Sequence, residues 1–168
     1  MSKMLEPMIS EFRQEGATTR RVLERVPGDK LSWKPHAKSM SLGQLALHIA
    51  AVPAGITKIA QLDGFDVSQV NFNFPCPADT KEILDTFDAS QQTTEQYLAQ
   101  LSDADALANW RMSSREKEIF TVPRAVLLRS IMMNHLYHHR GQLSVYLRML
   151  DVPVPSIYGP SADDNPFV

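Results

Sequence analysis

The chain lacks most of the features that would assign it to a specialised class of protein. One cysteine, Cys76, in 168 residues excludes an internal disulfide and fits a reducing compartment. Lysine and arginine number 17 against 19 acidic residues, so there is no excess of positive charge for nucleic-acid binding. No apolar run approaches a membrane span, and the first residues lack the apolar core of a signal peptide. These absences predict a cytoplasmic protein that binds neither nucleic acid nor membrane.

Apolar side chains at helical spacing are what the sequence does contain. Hydrophobic residues make up 43% of the chain, which is enough for one core at this length. The apolar stripes predict four long helices, over about 3–25, 41–60, 79–101 and 122–150. Ser41 with Gln44 has the spacing of a capping box, and Asp79 with Glu82 repeats it at the third helix. Pro53 is expected to kink the second helix, because proline removes a backbone donor.

The segments between the predicted helices have little regular pattern. Residues 29–40 and 62–78 are predicted as loops, and residues 102–121 as short extended pieces or a turn packed on the helices. The tail from Pro153 to Val168 is predicted to wrap the surface. No repeat or linker divides the chain, so the prediction is one all-α domain over 1–168, a four-helix bundle with short extended pieces between the third and fourth long helices.

Two histidines in the last predicted helix are the main functional signal. His135 and His139 are four residues apart, so they lie on one face, and that face is apolar. Burying an imidazole without a polar partner costs roughly 1–3 kcal/mol, and a shared metal ion would satisfy both rings. His48 lies in the apolar stripe of the second helix. If the two helices meet, three imidazoles form an open metal site, as in catalytic zinc centres.

The donor set limits the chemistry without fixing it. Three neutral nitrogens suit Zn²⁺, Ni²⁺, Cu²⁺, Co²⁺ or Fe²⁺. The motif is not that of a zincin, because Leu136 stands where the catalytic glutamate would follow the first histidine. A single histidine in an apolar stripe is usually a neutral core residue, so a plain helical interaction module with core histidines stays an alternative.

Several neighbouring side chains are candidates for supporting roles. His138 lies about 100° around the helix from His139, at the edge of the stripe, where it would orient a ligand or contact substrate. Asn134 and Arg140 flank the motif and would support the metal ligands or face solvent or a dimer partner. Tyr146 is a candidate pocket residue, and its alternative is ordinary aromatic core. The remaining candidates are weaker: Trp33 and Trp110 as pocket walls, His36 as a solvated residue and Cys76 as an incidental thiol.

Three segments together resemble the DinB-like superfamily of DinB/YfiT-type metal-binding proteins. They are 41–50 (SLGQLALHIA), 134–143 (NHLYHHRGQL) and 152–161 (VPVPSIYGPS). The resemblance implies an up-down-down-up four-helix bundle that is often dimeric. It also implies that His48, His135 and His139 are metal ligands, since all three match the family pattern.

The same resemblance suggests the kind of reaction. The superfamily includes transferases that use bacillithiol or mycothiol, whose metal is thought to bind the cofactor thiol. The sequence therefore predicts a metal-dependent enzyme that transfers a low-molecular-weight thiol to electrophiles in stress response or detoxification. Zinc or nickel is the expected metal, and the eight methionines add to the expectation of a homodimer. A metal-dependent hydrolase and a non-catalytic metal-binding stress protein are the alternatives.

Overall fold

Long helices dominate the computed structural model, which describes residues 2–71 and 73–167. Helix α1 spans Glu6–Leu23, α2 Leu42–Ala60, α3 Thr80–Gln100 and the short α4 Asp103–Leu107. The last helical stretch begins as α5, Arg124–Leu127, passes through a π-helical segment at Leu128–Met133 and ends as α6, Asn134–Met149. The prediction of a mostly helical chain is confirmed.

A small three-stranded sheet corrects the all-α prediction. Strands β2 (Asn109–Ser114) and β3 (Lys117–Pro123) form an antiparallel hairpin, in the region predicted to hold extended pieces. Strand β1 (Gly64–Asp66) pairs parallel with β2 and lies in what was predicted as the 62–78 loop; Phe72 of that loop is outside the described residues. Three residues are too few to show a strand's alternation, and the partner lies more than 40 residues away.

The helix starts agree with the predicted capping signals. Ser41 Oγ accepts from the backbone N–H of Gln44 at 3.2 Å, and Gln44 Oε1 accepts from that of Ser41 at 2.9 Å. Asp79 accepts from the backbone N–H of Glu82 at 2.8 Å, whereas the Glu82 carboxylate accepts from the backbone N–H of Ala78 at 2.7 Å, so only the Asp79 half of a capping box is present at α3. A fixed start for α2 also fixes the face on which His48 lies, about two turns further along the helix.

The buried positions follow the predicted stripes. One cluster of buried residues joins α1, α2, α3 and α6, and a second surrounds Trp110. Helix α2 is central, since it packs against both α3 and α6. It continues through Pro53, and the backbone N–H of the following Ala54 donates to Ser90 Oγ of α3 at 2.9 Å. The kink at Pro53 stays a prediction.

Helix α2 contradicts the prediction that no apolar run approaches the length of a membrane span. It has 19 residues with a mean hydropathy of 1.3, which is long and apolar enough to cross a membrane by those two criteria. Half of that window is buried inside the protein, and the core helix of a globular bundle passes the same test. The apolarity of α2 is explained here by its packing between α3 and α6.

The C-terminal tail lies against the helices, as predicted. Asp163 pairs with Arg148 of α6 and accepts from the backbone N–H of Val154 at 2.9 Å. Tyr158 Oη lies 3.1 Å from Glu15 Oε2 of α1 and 2.6 Å from the Arg140 guanidinium of α6. These contacts tie the tail to two helices.

Candidate metal centre

Three histidines from two helices meet at one point of the structure. His48 comes from α2, and His135 and His139 come from α6. The Nε2 atoms of His48 and His135 are 3.2 Å apart, and those of His135 and His139 are 2.6 Å apart. One nitrogen from each ring lies within 4.8 Å of the other two. The fold therefore brings together the residues that the sequence predicted as a cluster.

The geometry of this cluster fits a metal ion with small adjustments. In a tetrahedral zinc site with Zn–N of roughly 2.05 Å, two nitrogen ligands lie about 3.3 Å apart. The His48–His135 distance of 3.2 Å agrees with that spacing, whereas the 2.6 Å between His135 and His139 is shorter. A shift of several tenths of an ångström in one ring would open the closer pair. Three imidazole nitrogens suit a borderline divalent metal.

Burial keeps the three rings in the form that binds metal. Burial is the main reason that the pKa of His48 is lowered to about 4, and the neighbouring His139 and His135 lower it further. The pKa values of His135 and His139 are also lowered, in both cases mainly by burial. All three rings are therefore neutral at pH 7, and a neutral imidazole has a free nitrogen lone pair for a metal.

Gln142 holds the His139 ring in an orientation that suits metal binding. Its Oε1 lies 2.7 Å from His139 Nδ1, so Nδ1 carries the proton and donates. Nε2 then has the free lone pair and faces the other histidines. Sequence reasoning assigned no role to Gln142, although its position three residues after His139 puts both on neighbouring parts of one helix face.

A π-helical segment ends just before the first histidine of α6. It spans Leu128–Met133, and the backbone N–H of Asn134 reaches back five residues to the carbonyl of Arg129. Such segments occur mostly as single insertions within α-helices, frequently at functional sites. This one shifts the rotation of α6 relative to α5, so it helps to set the direction in which His135 points. The apolar pattern of 122–150 contained no sign of it.

The other candidates of the motif lie around the cluster. His138 is exposed, and its ring centre is 4.9 Å from that of His139. Asn134 is exposed. Arg140 is 1% exposed and pairs with Glu15 of α1 at 2.6 Å. Its hydrogen bonds run to α1 and the tail, so Arg140 joins helices rather than supporting the histidines.

The aromatic candidates do not line the space beside the histidines. Tyr146 packs edge-on against Trp33, with ring centres 5.6 Å apart, and its hydroxyl donates to the carbonyl of Met40 at 3.4 Å. Trp110 is fully buried and donates to the carbonyl of Ile59 at 3.1 Å. Trp110 belongs to the core, and Trp33 and Tyr146 are partly buried and pack against it, which agrees with the alternative interpretation of these aromatics.

Two further predicted side chains lie apart from the cluster. His36 is exposed, and its Nδ1 accepts from the backbone N–H of Lys38 at 3.2 Å. Cys76 is exposed, with its Sγ 3.7 Å from the carbonyl of Leu31 and 3.9 Å from Ser41 Oγ. Within the described residues, neither is part of the three-histidine group.

An apolar cavity adjoins the histidines, and its walls are formed by residues other than the pocket candidates predicted from the sequence. It has a volume of about 370 Å³ and is lined by His48, His135 and apolar residues of α2, the sheet, the 67–74 segment and the π-helical segment. Phe74 forms part of the wall, with its ring centre 4.6 Å from that of His48. Gln44 Nε2 donates to the carbonyl of Phe74 at 2.8 Å. A larger depression of about 600 Å³ near β1 and β2 includes none of the three histidines.

Comparison with known proteins agrees with this architecture. Residues 1–165 match the model of the DinB family. The uncharacterized protein YrdA of Bacillus subtilis is 23% identical over 167 residues, which cover 98% of this chain and 93% of YrdA. A DinB-like protein from Bacillus cereus superposes with a TM-score of 0.72 at 23% identity, over 92% of this chain and 97% of that one. The DinB-like protein YjoA of Bacillus subtilis superposes with a TM-score of 0.68 at 20% identity, over 95% of this chain and 99% of YjoA. The two solved structures share the fold.

Proposed function

The chain belongs to the DinB family, and we propose that it is a metal-dependent enzyme that transfers a low-molecular-weight thiol to electrophiles. The observation that carries the proposal is the convergence of three histidine nitrogens beside an apolar cavity of about 370 Å³. His48, His135 and His139 are the proposed ligands, and zinc or nickel is the proposed metal. Three protein ligands leave at least one position for a further ligand, as catalytic zinc sites do.

The chain's own residues have defined tasks in this proposal. The three histidines bind the metal, and Gln142 holds the proton on Nδ1 of His139 so that Nε2 stays available. When bound, a divalent ion lowers the pKa of a coordinated thiol or water and so supplies a nucleophile near neutral pH. The sulfur forms a bond to the electrophilic carbon, the leaving group departs with its electron pair, and the thiol proton goes to solvent.

Hydrolysis is a second candidate for the same site. It would use water in place of the thiol, and it usually needs a general base within hydrogen-bond reach. The residues that line the cavity include no aspartate or glutamate, which favours the thiol over water. A metal-binding stress protein without catalytic activity is the third candidate.

The proposal also covers the topology, the biological role, the location and the assembly of the protein. The long helices are proposed to follow the up-down-down-up order of the superfamily, within one domain over 1–168. The protein is proposed to act in stress response or detoxification, in the cytoplasm and without a nucleic-acid or membrane partner. A homodimer is the proposed assembly.

A transfer assay tests the proposed function. The protein, loaded with Zn²⁺ or Ni²⁺, is mixed with 1-chloro-2,4-dinitrobenzene and in turn with bacillithiol, mycothiol, glutathione or cysteine. Transfer forms the carbon–sulfur bond and releases chloride, so thioether absorbance and chloride are both measured. The matched variants are His135→Ala, which removes a proposed ligand, and His36→Ala, which removes an exposed histidine outside the cluster.

The outcomes separate the three candidates. Turnover with one thiol that is at least a hundredfold slower in His135→Ala and unchanged in His36→Ala supports the transferase. Bound metal without turnover of any thiol would contradict the transferase. Hydrolysis of an ester would then indicate the hydrolase, and the absence of both activities would indicate the non-catalytic metal-binding protein.

A further inference from the structure

The shape of the cavity beside the histidines restricts what it can bind. Along α2 its wall runs through six positions on one helix face: His48, Ala51, Val52, Gly55, Ile56 and Ile59. At 1.5 Å per residue, that face is about 16 Å long. His48 is at one end of it and touches His135. The cavity is therefore elongated along α2, and its histidines are at one end.

The polarity of the wall is uneven along this length. Apart from His48 and His135, all lining residues are apolar, and none carries a charge. Phe65 and Val67 come from β1 and the segment that follows it, and Met112 comes from β2. A charged group placed among them would lose its hydration without gaining a partner, which is costly. Only the histidine end offers polar atoms to a ligand.

The volume sets the size of a suitable molecule. An apolar protein cavity of about 150 Å³ accommodates benzene, so 370 Å³ corresponds to ~15 non-hydrogen atoms on the same scale. Low-molecular-weight thiols of the cysteine type carry carboxylate and amino groups or sugar hydroxyls, which this wall does not match. The cavity suits the other reactant better.

We infer that the cavity binds the electrophile, and that this is a compact, uncharged, largely apolar molecule whose reactive end faces His48 and His135. The thiol then reaches the cluster from the solvent side, where His138 and Gln142 are exposed. The role as electrophile rests on the proposed function, whereas the binding of an uncharged apolar molecule rests only on the wall of the cavity.

Gly55 makes this inference testable without touching the histidines. It lines the cavity, and a Cβ built on it meets no atom within 4 Å. A leucine at this position would fill the cavity while leaving the helix intact. Gly141 of α6 is a matched control, because it is also a helical glycine with no atom within 4 Å of a Cβ, and it does not line the cavity.

The experiment measures binding of two fluorescent probes that share a skeleton. N-phenyl-1-naphthylamine is uncharged, and 1-anilinonaphthalene-8-sulfonate adds a sulfonate. We expect the wild type to bind the uncharged probe at least tenfold more tightly than the charged one. Gly55→Leu should weaken binding of the uncharged probe at least tenfold, and Gly141→Leu should change it less than twofold. If circular dichroism shows that Gly55→Leu does not fold, Ala51→Leu on the same wall takes its place.

Metal content measured on the same samples separates this inference from the proposed function. Equal affinity for both probes, or unchanged binding in the cavity-filling variant, would overturn the inference even if metal is bound. Loss of probe binding in Gly55→Leu supports the inference whether or not the protein binds metal. If the protein binds no metal, the proposed function fails while the inference stands.

Discussion

At the scale of single residues, spacing predicted the cluster of three histidines but not the side chain that orients one of them. Because His135 and His139 are four residues apart, helix periodicity alone places them on one face. His48 was identified because it lies in an apolar stripe. Gln142 was missed, because an exposed glutamine in the middle of a helix has many possible partners. Only the structure shows its Oε1 at 2.7 Å from His139 Nδ1.

Replacing Gln142 tests its role as a positioning residue. Gln142→Leu removes the acceptor for Nδ1–H, so the His139 ring loses its fixed tautomer. Loss of such a partner typically weakens metal binding about 10- to 100-fold, and we expect at least tenfold weaker Zn²⁺ binding in competition with a chromophoric chelator. Asn134→Ala is the control, because Asn134 is exposed beside the same motif. Equal affinity for Gln142→Leu and wild type would show that the hydrogen bond does not support the site.

The lowered pKa of His48 makes the metal-free protein sensitive to acid. The pKa is about 4 in the folded state against an ordinary 6.5, so the unfolded state binds more protons between these values. Stability is therefore present above about pH 6.5 and falls as the pH decreases towards 4. After discounting for solvent screening of a half-exposed ring, the loss is ~1–2 kcal/mol.

Urea unfolding at pH 7 and pH 4.5, in the presence of a chelator, measures this loss. His48→Gln should lose less stability between the two pH values than the wild type, because glutamine does not titrate. An equal loss in both proteins would show that the protonation of His48 does not contribute.

At the scale of elements, long periodic segments were predictable and short or irregular ones were not. The apolar stripes of α1, α2 and α3, together with the capping residues of α2 and α3, predicted the existence, type and approximate bounds of these helices. Strand β1 has only three residues and depends on pairing with Arg111 at a distance in the sequence. The π-helical segment Leu128–Met133 changes the hydrogen bonding of a helix whose apolar pattern is unbroken. Hydrophobic periodicity records neither the pairing of β1 with a distant strand nor the changed hydrogen bonding of the π-helical segment.

Two glycines of α2 give opposite predictions. Gly55 has open space around a Cβ, so Gly55→Ala should stabilise the protein by about 0.5–1 kcal/mol, since alanine is the better helix former. A Cβ on Gly43 would lie 2.9 Å from Pro77 Cδ and 3.1 Å from the carbonyl oxygen of Leu31. Gly43→Ala should therefore destabilise by about 1–3 kcal/mol through overpacking.

Thermal or urea unfolding of the two variants beside the wild type measures this difference. A loss of stability in Gly55→Ala comparable to that in Gly43→Ala would contradict the open space beside Gly55.

At the scale of the whole molecule, a buried ion pair joins parts of the chain that are far apart in sequence. Arg140 of α6 pairs with Glu15 of α1 at 2.6 Å, and Tyr158 of the tail contacts both side chains. Arg140 is 1% exposed and Glu15 8%. The sequence placed Arg140 beside the metal motif, but it could not show that the guanidinium lies against α1, because that depends on how the helices pack.

Replacing one partner of this ion pair should lower the free energy of unfolding more than replacing both partners. Arg140→Met leaves the carboxylate of Glu15 buried without its partner, which typically costs about 3–5 kcal/mol. The double variant Arg140→Met/Glu15→Leu removes both charges and should be more stable than the single variant Arg140→Met. Urea unfolding of the wild type, Arg140→Met, Glu15→Leu and the double variant measures the coupling free energy between the two side chains. A double variant that loses the sum of the two single losses would show that the pair is not coupled.

The central claim is that His48, His135 and His139 hold one divalent metal ion. The most direct measurement is metal content by mass spectrometry, on protein purified without a histidine tag and incubated with Zn²⁺ or Ni²⁺. We expect about one equivalent in the wild type and in His36→Ala, and almost none in His135→Ala/His139→Ala. A wild type without metal after both incubations, or a double variant that retains a full equivalent, would contradict the claim.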